Sequence, residues 1–210
     1  HEIKTPIATS RLMIENHQGA PIVGLNEELK KIEDYIEQAL YYARSSSASK
    51  DYIVKEFRLK ECVAKVIKRN AKAFIHKKIQ LKLSEINDVV YSDEKWVEFI
   101  VNQIIVNSIN YCYKEDSVVS IYTSNHVHNL ILHIVDNGVG IDEKDIGRVF
   151  EKGFTGENGR LYRKSTGIGL YLCKTLADKL HLGIIIQSQK GVGTEVNVIF
   201  PKSKLVLLES

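Results

Sequence analysis

The stretch Leu130-Ile131-Leu132-His133-Ile134-Val135-Asp136-Asn137-Gly138-Val139-Gly140-Ile141 decides how this 210-residue chain folds. Leu130 to Asp136 carries apolar residues on both faces of an extended chain, which predicts a central, covered β-strand. The strand ends in a carboxylate, which can accept a hydrogen bond from an exocyclic amine. Glycines follow at alternate positions, where they let backbone approach a ligand closely. By itself the same Asp-x-Gly-x-Gly run is equally an ordinary turn, so its meaning rests on its surroundings.

Upstream of it, alternation predicts a strand at Val118 to Thr123, a helix from Asp93 to about Cys112, strands at Ile79 to Leu83 and Val89 to Tyr91, and a helix from about Leu59 to His76. Downstream come a helix from about Gly169 to Leu180 and strands at Ile184 to Ser188 and Thr194 to Phe200, joined by the Lys190-Gly191-Val192-Gly193 turn. Helices on one face of a mixed sheet make an α/β sandwich.

The N-terminal part is different. Leu25, Leu29, Ile32, Ile36, Ala39/Leu40 and Ala43 recur at alternating spacings of four and three, the seam of one amphipathic helix over 24–46. His1 to about His17 also reads helical, and Gln18-Gly19-Ala20-Pro21 breaks the chain between the two. A helical hairpin with one apolar seam cannot bury that seam alone, and pairing with a second copy into a four-helix bundle is the cheapest remedy. The expected fold class is therefore α+β: a hairpin at 1–46 forming a dimeric bundle, a small-residue linker at 47–54, and the α/β sandwich at 55–210. The shorter first leg and the absence of an initiator methionine lead us to expect further residues before His1.

Composition excludes several classes. Hydrophobic residues at 44% and charged residues at 26%, with 3 prolines, argue against a disordered or collagen-like chain. No apolar run approaches the roughly 20 residues needed to span a bilayer. Cys62, Cys112 and Cys173 are unevenly spaced with no CxxC pair, which fits a reducing compartment better than a disulfide framework or a zinc site. A net charge of +3 is too small to argue for a nucleic-acid partner.

Four features of the larger part converge on nucleotide binding. Gln103, Asn107, Asn110 and Tyr111 fall at i, i+4, i+7 and i+8, a polar stripe on an otherwise apolar helix. Asparagine is a poor helix former, and an amide oxygen suits a hard cation such as Mg²⁺. Asp136-x-Gly138-x-Gly140 is the second feature. Gly167-Ile168-Gly169-Leu170 is the third; it opens a helix, where free N–H groups and the dipole attract phosphate. The last is Gly191-Val192-Gly193-Thr194, which alone is a hairpin turn.

In this order, Asn107, Asp136-x-Gly138-x-Gly140, Phe150 and Phe154, Gly167-x-Gly169-Leu170 and Gly191-x-Gly193-Thr194 resemble the N, G1, F, G2 and G3 boxes of a sensor histidine kinase catalytic domain. His1-Glu2-Ile3-Lys4-Thr5-Pro6 resembles the phosphoacceptor box of the same family, and the resemblance extends over essentially the whole chain. Phe150 to Arg160, with Ser165-Thr166-Gly167, resembles more narrowly the small kinases that work with transporters to detect antimicrobial peptides.

The resemblance implies ATP as phosphoryl donor and Mg²⁺ as cofactor. It makes His1 the nucleophile, Glu2 the base that takes the proton from its other ring nitrogen, and Thr5, one turn from His1, the residue that orients water for dephosphorylating a partner. It assigns Asn107 to Mg²⁺, Asp136 to the adenine amine, Tyr111 to stacking near the base and Arg148 to the terminal phosphate. Gly138, Gly140, Gly167, Gly169, Leu170 and Thr194 are carried over as nucleotide-binding positions, and residues 151–166 have the composition of a mobile lid. Two positions depart from the family pattern: Asn110 replaces a phosphate-binding lysine, and Gln103 replaces a second asparagine. The implied partners are a second copy of the chain, a response regulator and a peptide-sensing ABC transporter. The implied location is the cytoplasmic side of a bacterial cell membrane. The alternatives are an ATPase of the gyrase and mismatch-repair kind, or a nucleotide-binding scaffold of a membrane complex. Gln103 opposes the first, since those ATPases resemble one another in a glutamate at that position and glutamine cannot accept the proton of an attacking water. The His-Glu-x-x-Thr-Pro box opposes the second.

Overall fold

A computed structural model of the chain describes residues 4–15, 25, 29, 32, 36, 52–156 and 167–202. The chain divides into two compact units, His1–Ser49 and Lys50–Ser210.

In the first unit, helix α1 runs over Lys4–Glu15. Leu25, Leu29, Ile32 and Ile36 are also helical, and Leu29 and Ile36 are each 46% exposed. The remainder of the expected second leg, and the turn and linker on either side of it, lie outside the described residues.

The second unit begins with strand β1 (Lys55–Arg58), which runs straight into helix α2 (Leu59–His76). Strands β2 (Gln80–Leu83) and β3 (Val89–Ser92) and helix α3 (Glu94–Tyr111) follow. Asp93 caps α3, its carboxylate accepting from the N–H groups of Lys95 and Trp96, two of the donors that a helix start leaves unpaired. Its other oxygen accepts from the Ile53 N–H at 2.9 Å. Next come β4 (Val118–Asn125), β5 (Asn129–Asp136), the single turn α4 (Glu143–Ile146), α5 (Gly169–Lys179), β6 (Gly183–Gln189) and β7 (Gly193–Pro201).

Five strands form one mixed sheet in the order β2-β4-β5-β7-β6, and β1 pairs with β3 in a separate ribbon. β2 and β4 are parallel, and β3 with α3 supplies the crossover such a pair requires. All other pairs in the sheet are antiparallel.

The sequence reading places β5 correctly at the centre but expects both of its faces to be covered. The structure covers one. Leu130, Leu132 and Ile134 are buried, whereas Ile131, His133 and Val135 are half-buried. The helices pack side by side against the buried face, with α3 between α2 and α5. This central position explains why α3 buries Trp96, Val97, Phe99, Ile100, Val101, Ile104, Ile105 and Ile109 around most of its circumference. α2 keeps a narrower stripe of Cys62, Val63, Val66 and Phe74, with the buried Asn70 amide donating to Asn102 Oδ1 on α3 at 2.8 Å. Among the described residues no helix is long and apolar enough to cross a membrane.

Candidate functional site

Three of the predicted segments meet at the carboxylate of Asp136, which is 8% exposed at the end of β5. One carboxylate oxygen accepts from the Ser108 hydroxyl of α3 at 2.8 Å, and the other from the Gly138 N–H at 3.0 Å. Thr194, its register partner on β7, adds a backbone donor. Burial raises the pKa of Asp136 above the ordinary carboxylate value, and the Gly138, Ser108 and Thr194 hydrogen bonds and the charge of Lys114 oppose it. An ionised carboxylate offers about four acceptor sites, so three donors leave one direction for a ligand N–H.

Backbone contacts fix the loop after Asp136. Val139 N–H donates to the Tyr111 carbonyl at 3.1 Å, which brings the loop against the C-terminal end of α3. At Gly138 a β-carbon would lie 2.6 Å from that same carbonyl oxygen, so only glycine permits the approach. On its other side the loop is tied to the β6–β7 turn. Gly191 N–H donates to the Val139 carbonyl at 2.7 Å, and Ile141 N–H donates to the Ser188 hydroxyl at 2.8 Å. That hydroxyl is 2.9 Å from the Thr194 hydroxyl. Lys114 Nζ donates to the Gly191 carbonyl at 2.9 Å.

The remaining predicted residues lie along a second wall. Asn107 and Asn110 are half-buried on α3, and their amides have no hydrogen-bond partner among the described residues. Gln103, one turn before Asn107, packs against the start of α5: a β-carbon on Gly169 would sit 2.8 Å from its Oε1. Leu170 is half-buried in the first turn of α5. Gly153 N–H donates to the Gly167 carbonyl at 3.0 Å, joining the described residues that flank 157–166. Gly167 has φ +67°, and a β-carbon there would lie 2.4 Å from the Gly153 carbonyl carbon. Arg148 is exposed; it pairs with Glu151 at 3.0 Å and its guanidinium lies 4.4 Å from the centre of the Phe154 ring. Gly140 belongs to the first wall and Phe154 to the second. His1 and Glu2 lie outside the described residues, and Thr5 is on α1 with its side chain undescribed.

Sequence reasoning missed Ser108. The available sign was a hydroxyl beside Asn107 amid Ile104, Ile105 and Ile109, a buried polar group that needs a partner.

A family model described as "Histidine kinase-, DNA gyrase B-, and HSP90-like ATPase" matches residues 92–204, the part that holds both walls. The chain belongs to this ATPase family. The sensor histidine kinase YxdK of Bacillus subtilis (strain 168) is 32% identical over 201 residues, covering 95% of this chain and 62% of the relative. The chain is thus a homologue of sensor histidine kinases that spans about three fifths of the curated relatives it matches. Among solved structures, the Acinetobacter baumannii histidine kinase AdeS superposes with a TM-score of 0.76 at 19% identity, covering 97% of this chain and 98% of that one. Histidine kinase ThkA in complex with response regulator protein TrrA gives 0.70 at 19% identity, covering 97% of this chain and 59% of that one. The shared ATPase fold assigns this unit to ATP.

Proposed function

We propose that the chain is the phosphoacceptor and catalytic portion of a sensor histidine kinase, which transfers the γ-phosphoryl group of ATP to His1 and from there to an aspartate of a response regulator. The observation that carries this reading is the free acceptor direction on Asp136, buried and otherwise saturated by Ser108, Gly138 and Thr194. It suits the amine of adenine, since a carboxylate with one lone pair left selects a donor. Tyr111, Gly138, Gly140 and Thr194 bound that end of the site. Asn107, Arg148, Gly167, Gly169 and Leu170 would serve the phosphates.

The half-buried amide of Asn107, without a partner among the described residues, fits the hard-cation chemistry of Mg²⁺, and Asn107 would hold it. The ion supplies charge neutralisation at the phosphates. A nitrogen of the neutral His1 ring attacks the γ-phosphorus, the bond to the ADP oxygen breaks, and Glu2 takes the proton from the other ring nitrogen. Thr5, four residues on, would position water for hydrolysis of the regulator's aspartyl phosphate. Leu29 and Ile36, helical and half-exposed, support burial of the 24–46 seam against a second copy, making the kinase a homodimer. Placement at the cytoplasmic face of a bacterial membrane, and partnership with a peptide-sensing transporter, complete the reading.

Incubation with γ-labelled ATP tests it. The chain, carried in its full reading frame, should take up acid-labile label that His1→Gln abolishes while ATP binding stays within a few-fold. Label persisting in that variant removes the His1 assignment. Nucleotide binding without any label would leave the scaffold reading instead.

A further inference from the structure

The helix-free face of the sheet carries an arrangement that the nucleotide site does not use. His133 on β5 has Nδ1 2.9 Å from a carboxylate oxygen of Glu195 on β7, and Nε2 2.7 Å from the hydroxyl of Ser124 on β4. A carboxylate only accepts, so Nδ1 carries the proton, and Nε2 is left as an acceptor for the Ser124 O–H. The three residues lie on a diagonal across three strands: His133 is opposite Tyr122 and Asn197 in register, and Ser124 and Glu195 are each two residues further along their strands in opposite directions. The Tyr122 ring stacks on the imidazole at 4.5 Å and 8°, holding its plane. The His133 side chain is only 13% exposed and Glu195 30%, so the base and its orienting carboxylate are shielded.

We propose that Ser124, His133 and Glu195 form a second reactive site, a serine nucleophile with its base and orienting group, which accepts acyl groups from short-chain aliphatic esters. Ser124 Oγ attacks the ester carbonyl carbon and its proton passes to His133 Nε2. The bond to the alcohol oxygen then breaks, the alcohol leaves with that proton, and water, deprotonated by the same nitrogen, releases the acyl group as the carboxylic acid. Glu195 keeps the imidazole in the required tautomer and balances its transient charge. His126 Nε2, 3.2 Å from the same hydroxyl, would in the tautomer that protonates it donate to the developing oxyanion. Half-buried Ile131, directly opposite Ser124, and Ile199 beside it offer aliphatic surface for the acyl chain.

The test is an alkyl fluorophosphonate, which phosphonylates an activated serine with loss of fluoride, and p-nitrophenyl butyrate for turnover, both on the whole chain. One phosphonyl group should map to the peptide containing Ser124 and be absent from Ser124→Ala. His133→Gln should slow labelling about 100-fold, within the usual range for removing a general base. Glu195→Gln, nearly isosteric, should slow it by a smaller factor, and ATP-dependent labelling at His1 should be unchanged in Ser124→Ala. No adduct on the wild-type chain, an adduct that survives Ser124→Ala, or a rate unmoved by both His133→Gln and Glu195→Gln would overturn the proposal.

Discussion

The two walls of the nucleotide site are built by different means. Around Asp136 the polar groups are largely engaged: Ser108, Gly138 and Thr194 fill three of the carboxylate's roughly four acceptor directions, and Tyr111, Ser188 and Gly191 lock the loop beside it. Along the other wall, Asn107 and Asn110 have amides without a partner among the described residues, and the Gly153 to Gly167 backbone hydrogen bond joins the described ends of the segment. A prebuilt wall costs no reorganisation when ligand arrives, whereas a wall of open amides gains its partners only from the ligand. Under the proposed function, base selectivity would rest on the first wall and metal-dependent phosphate binding on the second.

The harshest way to break the comparison is Gly140→Ala. Gly140 has φ +67°, and a β-carbon would lie 2.0 Å from the Gln189 carbonyl oxygen. We expect a loss of ~4 kcal/mol or more in stability, hence a fall in Tm on the order of 10 °C, by thermal unfolding. A substitution at Gly153, where a β-carbon meets nothing within 4 Å, should cost much less despite its positive φ.

Asp136→Asn keeps the site's shape while placing an amide donor where the proposed function puts the adenine amine. ATP affinity should fall tenfold or more by calorimetry, with or without Mg²⁺, consistent with about 1.5–3 kcal/mol for a charged hydrogen bond. Asn107→Ala should reduce affinity by roughly tenfold, about 1.4 kcal/mol, in Mg²⁺ and leave it unchanged in EDTA. Equal losses for Asn107→Ala under both conditions would erase the distinction between the walls.

The smallest effect concerns pH. Because burial raises the Asp136 pKa, acidification protonates it at a higher pH than an exposed carboxylate, and ATP affinity should begin to weaken there. For folding the sign is opposite. The cost of holding the ionised group buried is complete above the folded-state pKa and vanishes below the unfolded value of about 3.9. Asp136→Asn should flatten both profiles.

Most of the second unit was legible because its periodicities are long. Helix α2 spans the residues expected of it, and Asp93 caps α3 as a helix-start aspartate should. β1 and α4 hold a single apolar residue each, Phe57 and Ile146, and so carry no period to be read. The expectation that both faces of β5 are covered fails at His133, a polar residue inside an apolar run, whose neighbours are Ser124 and Glu195. The glycines were legible as close approaches, but their contacts were not: Gly138 meets the Tyr111 carbonyl and Gly167 meets Gly153, partners distant in sequence. Ser108 escaped because a lone hydroxyl on a buried face reveals its partner only when the fold brings up Asp136.

The three cysteines turn the helical layer into its own clock. Cys62 lies in α2, Cys112 caps the end of α3, and Cys173 lies in α5; all three are free and buried. Burial pushes the thiols up, to about 12 for Cys62 and about 11 for Cys112, and Cys173 likewise upward. Alkylation requires thiolate, so reaction at neutral pH is expected to be slow until the structure around each thiol opens. The rate at which each takes up iodoacetamide is therefore expected to report local opening at its own place in the helical layer, with no label introduced.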